Sequence, residues 1–350
     1  MLKILRNKII WTVDKKEYIL TFSAFIQNYI DNKSPNLKRL SREELDFLHE
    51  KIKDYFGCNF LQRIEKLKEY KRLKVGELKN ISKKRKLGSG AHGIVYPVDE
   101  NLIVKLIKNN NKMANTESRI HDFLVKRVLF NKLLYSIPIL YQTQLGLNDY
   151  IVIERSEINC WEYINKYNND SNFRTCIKSI IFQVIWSFSI LQKNFPGFRH
   201  NDLKLDNILL DFVDEEMYLK YGINYFKISN VFVKISDFDY TNIPDNITNP
   251  KVADEDSKKF GCSIERCDYY DLHIFLNSLW LKRMYLPPSI NTWVCENLPS
   301  ELRGINTENV KHGRLINPKK HKIKPFKEFL KDPFFDCFKI DKLKHPTWGN

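Results

Sequence analysis

The stretch of the sequence that most constrains the fold is HNDLKLDNILL, residues 200–210. Its first eight positions hold one His, two Asn, two Asp and one Lys, a density of polar groups that a buried core tolerates only when each group is paired. The apolar run of residues 208–210 that follows is typical of a short buried strand. The sequence therefore predicts a polar loop held against the edge of a strand.

Three side chains of this loop form the set that phosphoryl transfer requires. That reaction needs a carboxylate at the acceptor hydroxyl, a cation on the moving phosphoryl group and oxygen ligands for Mg²⁺. Asp202, Lys204 and Asn207 supply these groups in order. A second metal carboxylate is predicted at Asp237, in FVKISDFDY, because it follows the alternating pattern of a short strand. Taken alone, the DFD motif also fits a simple turn.

A glycine-rich loop precedes this region. Gly88, Gly90 and Gly93 have GxGxxG spacing, with Val95 two residues further on. A dinucleotide-binding loop would lead into a helix. Here β-branched residues and Pro97 follow, so the loop is predicted to join two strands. Such a glycine hairpin can bring backbone N–H groups close to phosphates, although an ordinary hairpin remains an alternative.

Lys105 lies ten residues after Val95, in the apolar context LIVKLI. A half-buried ammonium requires an anion, which a nucleotide phosphate or a carboxylate would provide. Glu117 is the only Glu between Lys105 and Glu154, so it is predicted as the helix partner of Lys105. The alternative is that Glu117 lies on the surface of its helix.

In this order, the motifs resemble those of the protein kinase superfamily over roughly residues 80–340. A more specific resemblance is to the poxvirus-type virion Ser/Thr protein kinases and their relatives in large DNA viruses. That group has H-x-D-L-K-x-D-N-I-L-L, D-F-D in place of D-F-G, and a Y-Y-D-x-H run. These correspond here to residues 200–210, 237–239 and 269–273.

The resemblance implies an α+β bilobal fold. Its N-lobe, about residues 81–155, would be a small antiparallel sheet with one helix, and its C-lobe, about residues 156–345, would be mostly helical. Residues 1–80 are expected to be a separate extension, with a hairpin around residues 14–16 followed by helices. The kinase domain is accordingly predicted at residues 81–345.

The resemblance also implies the roles of individual residues. The catalytic residues would be Asp202, Lys204, Lys105 and Glu117, and the metal ligands Asn207 and Asp237. His200 and Asp271 would brace the catalytic loop, and Ile153 would be the gatekeeper of the hinge. The expected ATP-binding residues are Leu87, Gly88, Ser89, Gly90, Ala91, His92, Gly93, Val95, Lys105, Ile153, Glu154 and Arg155.

The implied function is an ATP-dependent serine/threonine protein kinase that acts on virion or assembly proteins. ATP and Mg²⁺ would be required, with Mn²⁺ as a substitute ion, and nucleic acid would not be required. The expected location is the host cytoplasm and the virion, without secretion.

This sequence departs from the kinase pattern in four respects. Asn201 stands where most kinases have the Arg that meets a phosphorylated activation loop, which predicts activity without that phosphorylation. Asp239 replaces the Gly of D-F-G, and no A-P-E stretch follows. The 30 residues from Asn207 to Asp237 predict an inserted hairpin around residues 214–230.

Composition excludes fewer classes of function than the motifs do. The net charge of +15 favours polyanionic partners, and it also fits a solvated Lys-rich surface. No apolar run reaches the length of a membrane span, and no secretory signal is evident at the N-terminus. Seven scattered cysteines without a CxxC pair favour reduced thiols and argue against a zinc site.

Three other functions remain open from the sequence. A small-molecule kinase of the aminoglycoside or choline type also has H-x-D-x-x-x-x-N and D-F-D, but it more often carries His at the position of Lys204. A nucleotide-binding pseudokinase scaffold would need no transfer activity. A nucleic-acid-binding protein would instead show tight, salt-dependent binding of DNA.

Overall fold

The computed structural model describes residues 2–5, 8–13, 16–21, 43, 46, 50, 52–54, 56–57, 60, 62–63, 73–89, 93–107, 111–144, 149–253, 257, 259, 261–341 and 347–349. The predicted ATP-binding residues Gly90, Ala91 and His92 lie outside this set.

The N-terminal region begins with a three-stranded antiparallel sheet. Its strands are β1 (Leu2–Leu5), β2 (Lys8–Val13) and β3 (Lys16–Thr21), in that order. The register of β2 and β3 closes at Val13 and Lys16, where the sequence predicts a hairpin. The predicted boundary between residues 80 and 81 stays a prediction.

The upper lobe is a five-stranded antiparallel sheet with the order β4-β5-β6-β8-β7. Its strands are β4 (Gly88–Ser89), β5 (Gly93–Pro97), β6 (Leu102–Ile107), β7 (Leu140–Gln144) and β8 (Tyr150–Glu154). Helix α1 (Val75–Ile81) buries Leu78 and Ile81 in a small core that it shares with β6 and β8. Helix α2 (Asn111–Leu124) continues into a π-helical turn (Val125–Leu129).

The lower lobe surrounds one long apolar helix. Its helices are α3 (Cys160–Tyr167), α4 (Phe173–Asn194), α5 (Pro250–Ala253), α6 (Tyr270–Leu281), α7 (Pro288–Asn297) and α8 (Phe326–Phe329). Within the part of the chain that the structure describes, α4 is the one helix long and apolar enough to cross a membrane by length and composition. Because 83% of its apolar window is buried inside the protein, α4 is the central core helix of this lobe.

A long β-hairpin is built into the lower lobe. Strands β10 (Ile208–Tyr221) and β11 (Asn224–Ile235) pair in antiparallel register from Ile208↔Ile235 to Tyr221↔Asn224. Gly222 has a φ of 61° in the connecting turn, a conformation that suits glycine. The short strands β9 (Ile158–Asn159), β14 (Lys339–Ile340) and β15 (Thr347–Trp348) extend this sheet. The predicted insertion at residues 214–230 corresponds to the outer half of the hairpin.

One further hairpin, β12 (Val310–Lys311) and β13 (Arg314–Leu315), follows α7. The predicted α+β bilobal fold is confirmed, but two helices, α1 and α2, accompany the upper sheet where one was predicted. The lower lobe contains more β-strands than the sequence predicts, because three short strands pair with the edges of β10 and β11.

Candidate active site

Lys105 connects three elements at the cleft between the lobes. It lies in the middle of β6, where it pairs with Val95 of β5 and Ile151 of β8. Its Nζ donates to Glu117 Oε1 at 2.7 Å and to Asp237 Oδ1 at 2.8 Å. The strand, helix α2 and the segment after β11 therefore converge on one ammonium group.

The Lys105 ammonium and the two carboxylates beside it shift one another's pKa values. Burial lowers the pKa of Lys105, but the Asp237 and Glu117 carboxylates more than offset this, so its pKa is raised above the ordinary value. Desolvation raises the pKa of Asp237, yet the Lys105 ammonium dominates and lowers it to about 2. Burial raises the pKa of Glu117 to about 7, against the opposing effect of the ammonium. At neutral pH, Asp237 is thus an ionised carboxylate in the cleft, with its side chain 40% exposed.

The described residues of the glycine loop lie beside the Lys105 strand. Strand β4 pairs with β5 through Gly88↔Val95 and Ser89↔Ile94, and Leu87 N–H donates to the Val95 carbonyl at 2.9 Å. A Cβ on Gly93 would lie 2.8 Å from the carbonyl oxygen of Leu106 and 3.2 Å from the Lys105 side chain. The chain therefore requires glycine at position 93 to pass this close to the lysine strand.

The polar loop of residues 200–207 lies at the start of β10, as the sequence predicts. Asn207 Nδ2 donates to the Asp202 backbone carbonyl at 2.8 Å and to Asp202 Oδ2 at 3.1 Å. Lys204 Nζ lies 3.2 Å from the same carboxylate oxygen. The carboxylate, the ammonium and the carboxamide therefore form one connected group.

Asp271 of α6 supports the loop from below. Its two carboxylate oxygens accept the backbone N–H groups of His200 and Asn201, each at 2.8 Å. Asn201 has a φ of 64°, a left-handed conformation that Asn adopts more readily than most residues. Burial raises the pKa of Asp271 despite these donors. Two backbone hydrogen bonds to one buried carboxyl group thus fix the turn that presents Asp202.

The segment after β11 presents Asp237 to the cleft. Asp237 has left-handed backbone angles, φ 63° and ψ 68°. Phe238 is buried, with its ring centroid 5.1 Å from that of His121 and 5.6 Å from that of His200. The apolar ring anchors the segment and leaves the carboxylate facing Lys105.

Asp239 is buried rather than directed at the cleft. Its carboxylate forms an ion pair with Lys251 of α5, and both side chains are less than a tenth exposed. The Lys251 ammonium also lies 3.9 Å from the centre of the Tyr240 ring. The negative charge that replaces glycine in this motif is therefore matched by a lysine fourteen residues after Asp237.

The predicted hinge follows the upper sheet. Ile153 is buried in β8, and Arg155 N–H donates to the Asn101 carbonyl at 2.8 Å. The side chain of Glu154 is buried and forms ion pairs with Arg63 at 2.9 Å and Lys234 at 2.7 Å. The Glu154 carboxylate is thus engaged by these two cations, and the Glu154 N–H donates to the Ile139 carbonyl at 3.0 Å.

Two arginines of the site were not predicted from the sequence. Arg314 of β13 donates from Nη2 to Asp202 Oδ1 at 2.5 Å and from Nε to the Asn201 carbonyl at 3.3 Å. Arg63 donates to Glu154. Neither residue lies in a motif, and each is about 90 or more residues from its partner along the chain. No local sequence signal could have identified them.

The site residues that the structure describes are suited to a divalent cation. The Ser236 N–H and hydroxyl both bind the Asn207 carbonyl, at 2.9 and 3.1 Å, so Asn207 and Asp237 lie on adjoining segments. Carboxylate and carboxamide oxygens are the ligands that Mg²⁺ prefers. The predicted site residues within the described ranges thus surround one cleft, while their roles stay predictions.

Comparison with known proteins gives matches to kinases. The chain is 31% identical over 202 residues to a protein of Acanthamoeba polyphaga mimivirus named as a serine/threonine-protein kinase, a match that covers 53% of this chain and 43% of the relative. A Dictyostelium discoideum protein named in the same way is 35% identical over 130 residues, which are 33% of this chain and 10% of the relative. The chain thus spans less than half the length of either relative.

Among solved structures, a crystallised kinase domain is 18% identical, with a TM-score of 0.38, over 72% of this chain and 94% of that domain. The family model described as poxvirus serine/threonine protein kinase matches residues 152–338, which is more than half of the chain. Residues 200–210, 237–239 and 269–273, whose motifs resemble that group, all lie within the match. The chain belongs to the poxvirus serine/threonine protein kinase family.

Proposed function

We propose that this protein transfers the γ-phosphoryl group of ATP, with Mg²⁺ or Mn²⁺, to serine or threonine hydroxyls of other proteins. The observation that carries the proposal is the position of Lys105 between Glu117 and Asp237, 2.7 and 2.8 Å away. An ammonium held between two carboxylates at the mouth of a glycine hairpin is suited to bind triphosphate oxygens.

The residues of the catalytic loop act on the acceptor side of the reaction. Asp202 accepts a hydrogen bond from the acceptor hydroxyl and orients its oxygen toward the phosphorus. Lys204, 44% exposed and 3.2 Å from Asp202, neutralises charge on the transferred group. The side-chain N–H of Asn207 donates a hydrogen bond to Asp202. The amide oxygen of Asn207 is therefore the atom that can bind a cation.

The nucleotide side depends on the upper lobe. Lys105 binds the α- and β-phosphates, and the loop from Gly88 to Gly93 covers them with backbone N–H groups. Asp237 and Asn207 would hold the divalent ion, which when bound neutralises charge on the phosphate oxygens. The backbone carbonyl groups of Glu154 and Arg155 would face the adenine, beside Ile153, because the N–H groups of both residues donate within the upper lobe.

The acceptors that we propose are virion or assembly proteins of a large DNA virus, encountered in the host cytoplasm or in the particle. The family of the chain and the mimivirus relative support this setting. The net charge of +15 is compatible with acidic protein partners.

An acceptor panel tests the function. The purified chain is incubated with labelled ATP, Mg²⁺ and casein, a basic protein, choline or an aminoglycoside, in parallel with Asp202→Asn. Transfer to protein Ser and Thr that drops by about 10²- to 10⁴-fold in the variant is expected. Transfer only to the small molecules would point to the small-molecule kinase instead. Equal, negligible rates for both chains together with intact ATP binding would point to a scaffold.

A further inference from the structure

Arg63 is a buried arginine from the region that precedes the predicted kinase domain. It is 8% exposed and lies outside the part of the chain that the family model matches. Nε donates to both carboxylate oxygens of Glu154, at 2.9 and 3.2 Å, and Nη2 donates to Oε2 at 2.9 Å. This two-pronged geometry makes full use of the planar guanidinium.

The remaining donors of Arg63 bind backbone of the upper lobe. Nη1 donates to the Tyr135 carbonyl at 3.1 Å, and Nη2 to the Ile137 carbonyl at 2.7 Å. The Glu154 carboxylate also accepts the Ile139 N–H at 3.1 Å. One side chain therefore ties the end of β8 to the segment that leads from helix α2 into β7.

The cluster extends into the lower lobe. Lys234 of β11 donates to Glu154 Oε1 at 2.7 Å and also forms an ion pair with Asp211 of β10. Arg63, Glu154 and Lys234 are all less than a tenth exposed. Two cations and two carboxylates thus form a compact, formally neutral group in which three parts of the chain meet directly behind the hinge.

An apolar contact holds the Arg63 segment in place. Ile52, Phe56 and Phe60 are buried in the same core as the lower lobe. The Phe56 and Phe60 rings are stacked at 4.2 Å, and their centroids lie 5.7 and 5.5 Å from the Trp348 ring. Arg63 follows Phe60 by three residues along the chain. These apolar contacts therefore fix the position of the segment that carries Arg63.

The charges of this cluster are maintained at neutral pH. Burial raises the pKa of Glu154, but Arg63 and Lys234 outweigh this and lower it to about 2. An ionised buried carboxylate that loses one partner becomes strongly destabilised. The position of the Glu154 carboxylate therefore depends on the presence of both Arg63 and Lys234.

We infer that Arg63 is a positioning residue of the nucleotide site, which holds the hinge at Glu154 in the geometry that receives adenine. The inference rests on the proposed function for its link to ATP. It assigns a role to part of residues 1–80, which the sequence leaves without one. Arg63 itself touches no nucleotide, since its donors are turned to Glu154 and to the two carbonyl groups.

The first test is kinetic and uses the full chain. Arg63→Ala is expected to raise the KM for ATP by about tenfold or more, because a displaced hinge weakens ground-state and transition-state binding equally, while kcat changes little. The matched control is Arg266→Ala, which removes an exposed arginine with a two-pronged contact to Asp268 in the lower lobe. The control should keep the wild-type KM. A wild-type KM in Arg63→Ala would overturn the inference.

The second test separates positioning from general stability. Arg63→Met/Glu154→Gln removes the unpaired charge, so its Tm should recover toward the wild-type value relative to Arg63→Ala. Its KM for ATP should nevertheless stay raised, because the Tyr135 and Ile137 carbonyls are still not tied to the hinge. A double variant that recovers both Tm and KM would show a structural role alone and contradict the inference.

The third test does not depend on catalysis. Amide hydrogen exchange of residues 150–157 should accelerate in Arg63→Ala and, to a smaller extent, in Arg63→Lys, and should be unchanged in Arg266→Ala. Unchanged exchange in both Arg63 variants would refute the positioning role of Arg63, even if the wild type transfers phosphate. Accelerated exchange in the Arg63 variants, together with a wild type that neither binds ATP nor transfers phosphate, would instead refute the kinase proposal and keep the positioning role of Arg63.

Discussion

Arg314 donates to the carboxylate of Asp202, the residue that we propose orients the acceptor hydroxyl. The arginine lies in the short hairpin of β12 and β13, and it also binds the Asn201 carbonyl at 3.3 Å. Asp202 therefore contacts Arg314 through Oδ1 and Lys204 and Asn207 through Oδ2. A residue 112 positions away along the chain thus helps to fix the orientation of the Asp202 carboxylate.

The first prediction concerns this contact. Arg314→Ala should lower kcat by about 10- to 100-fold, because a charge-assisted hydrogen bond of about 1.5–3 kcal/mol no longer holds Asp202. The KM for ATP should not change. Steady-state kinetics with a protein acceptor will measure this, with exposed Lys311→Ala of the same hairpin as the control. A higher kcat in Arg314→Ala would mean that the arginine obstructs the acceptor instead.

A second prediction concerns Lys105. Lys105→Met should reduce kcat/KM by about 10²- to 10³-fold through loss of a preorganised cation at the phosphates. The fold should be retained, because burial already raises the pKa of Glu117 to about 7 and the carboxyl group can take up a proton once the ammonium is gone. Circular dichroism and transfer assays on the same preparations will check both parts. A rate like that of the wild type would refute the assignment of Lys105.

A third prediction concerns the buried ion pair of Asp239 and Lys251. Lys251→Met leaves an uncompensated buried carboxylate and should lower the free energy of unfolding by about 3–5 kcal/mol. The double variant Lys251→Met/Asp239→Asn should recover most of this loss. Urea unfolding will measure the change, with Lys227→Met, which removes an exposed ion pair to Glu216, as a control that should be neutral. A Lys251→Met chain as stable as the wild type would show that the pair contributes nothing.

A fourth prediction concerns regulation by phosphorylation. Asn201 donates to the Tyr240 carbonyl at 2.9 Å, and Arg199 donates to the Glu265 and Gly261 carbonyls at 3.0 and 3.3 Å. Together with the ion pair of Lys251 and Asp239, these contacts hold the described part of the segment after Asp237 in place. Phosphatase treatment of the purified chain should therefore leave its rate of transfer unchanged, as measured before and after treatment. A large fall in rate would reveal a required phosphorylated residue.

A fifth prediction concerns pH. Burial lowers the pKa of His273 to about 4 from its ordinary 6.5, and its Nε2 lies 2.8 Å from the Leu302 carbonyl oxygen, to which the neutral ring can donate. Between these values the unfolded chain binds more protons than the folded chain. The contribution of the neutral ring to stability is therefore fully present above pH 6.5 and is lost as the pH falls through 4.

The expected decrease in the free energy of unfolding from His273 is about 2 kcal/mol between about pH 7.5 and pH 5. His273→Gln keeps a donor for Leu302 but does not titrate, so the decrease should be smaller in this variant by that amount. His121, whose pKa burial also lowers to about 4, should account for much of the remainder. Urea unfolding at both pH values will test this, with exposed His312→Gln as the control. Parallel pH profiles for His273→Gln and the wild type would rule out the assignment.

The sequence by itself determined the order of chemical groups and the elements that carry them. The glycine spacing with Pro97 after it predicts two strands rather than a strand and a helix, and β4 and β5 are those strands. The abrupt change from polar to apolar residues at Ile208 predicts the loop at the start of β10. Each of these signals is local, because side-chain periodicity and backbone restriction act over a few residues.

Only the tertiary structure decided which distant side chains complete the site. Arg314 reaches Asp202 and Arg63 reaches Glu154 across the fold, and Lys251 reaches Asp239 from a helix 12 residues further along the chain. An arginine or lysine at such a position looks like any solvated surface charge until the chain folds, since exposed cations are abundant in a chain with a net charge of +15. Burial of a carboxylate is what requires a cation beside it, and burial is a property of the packed molecule rather than of any segment.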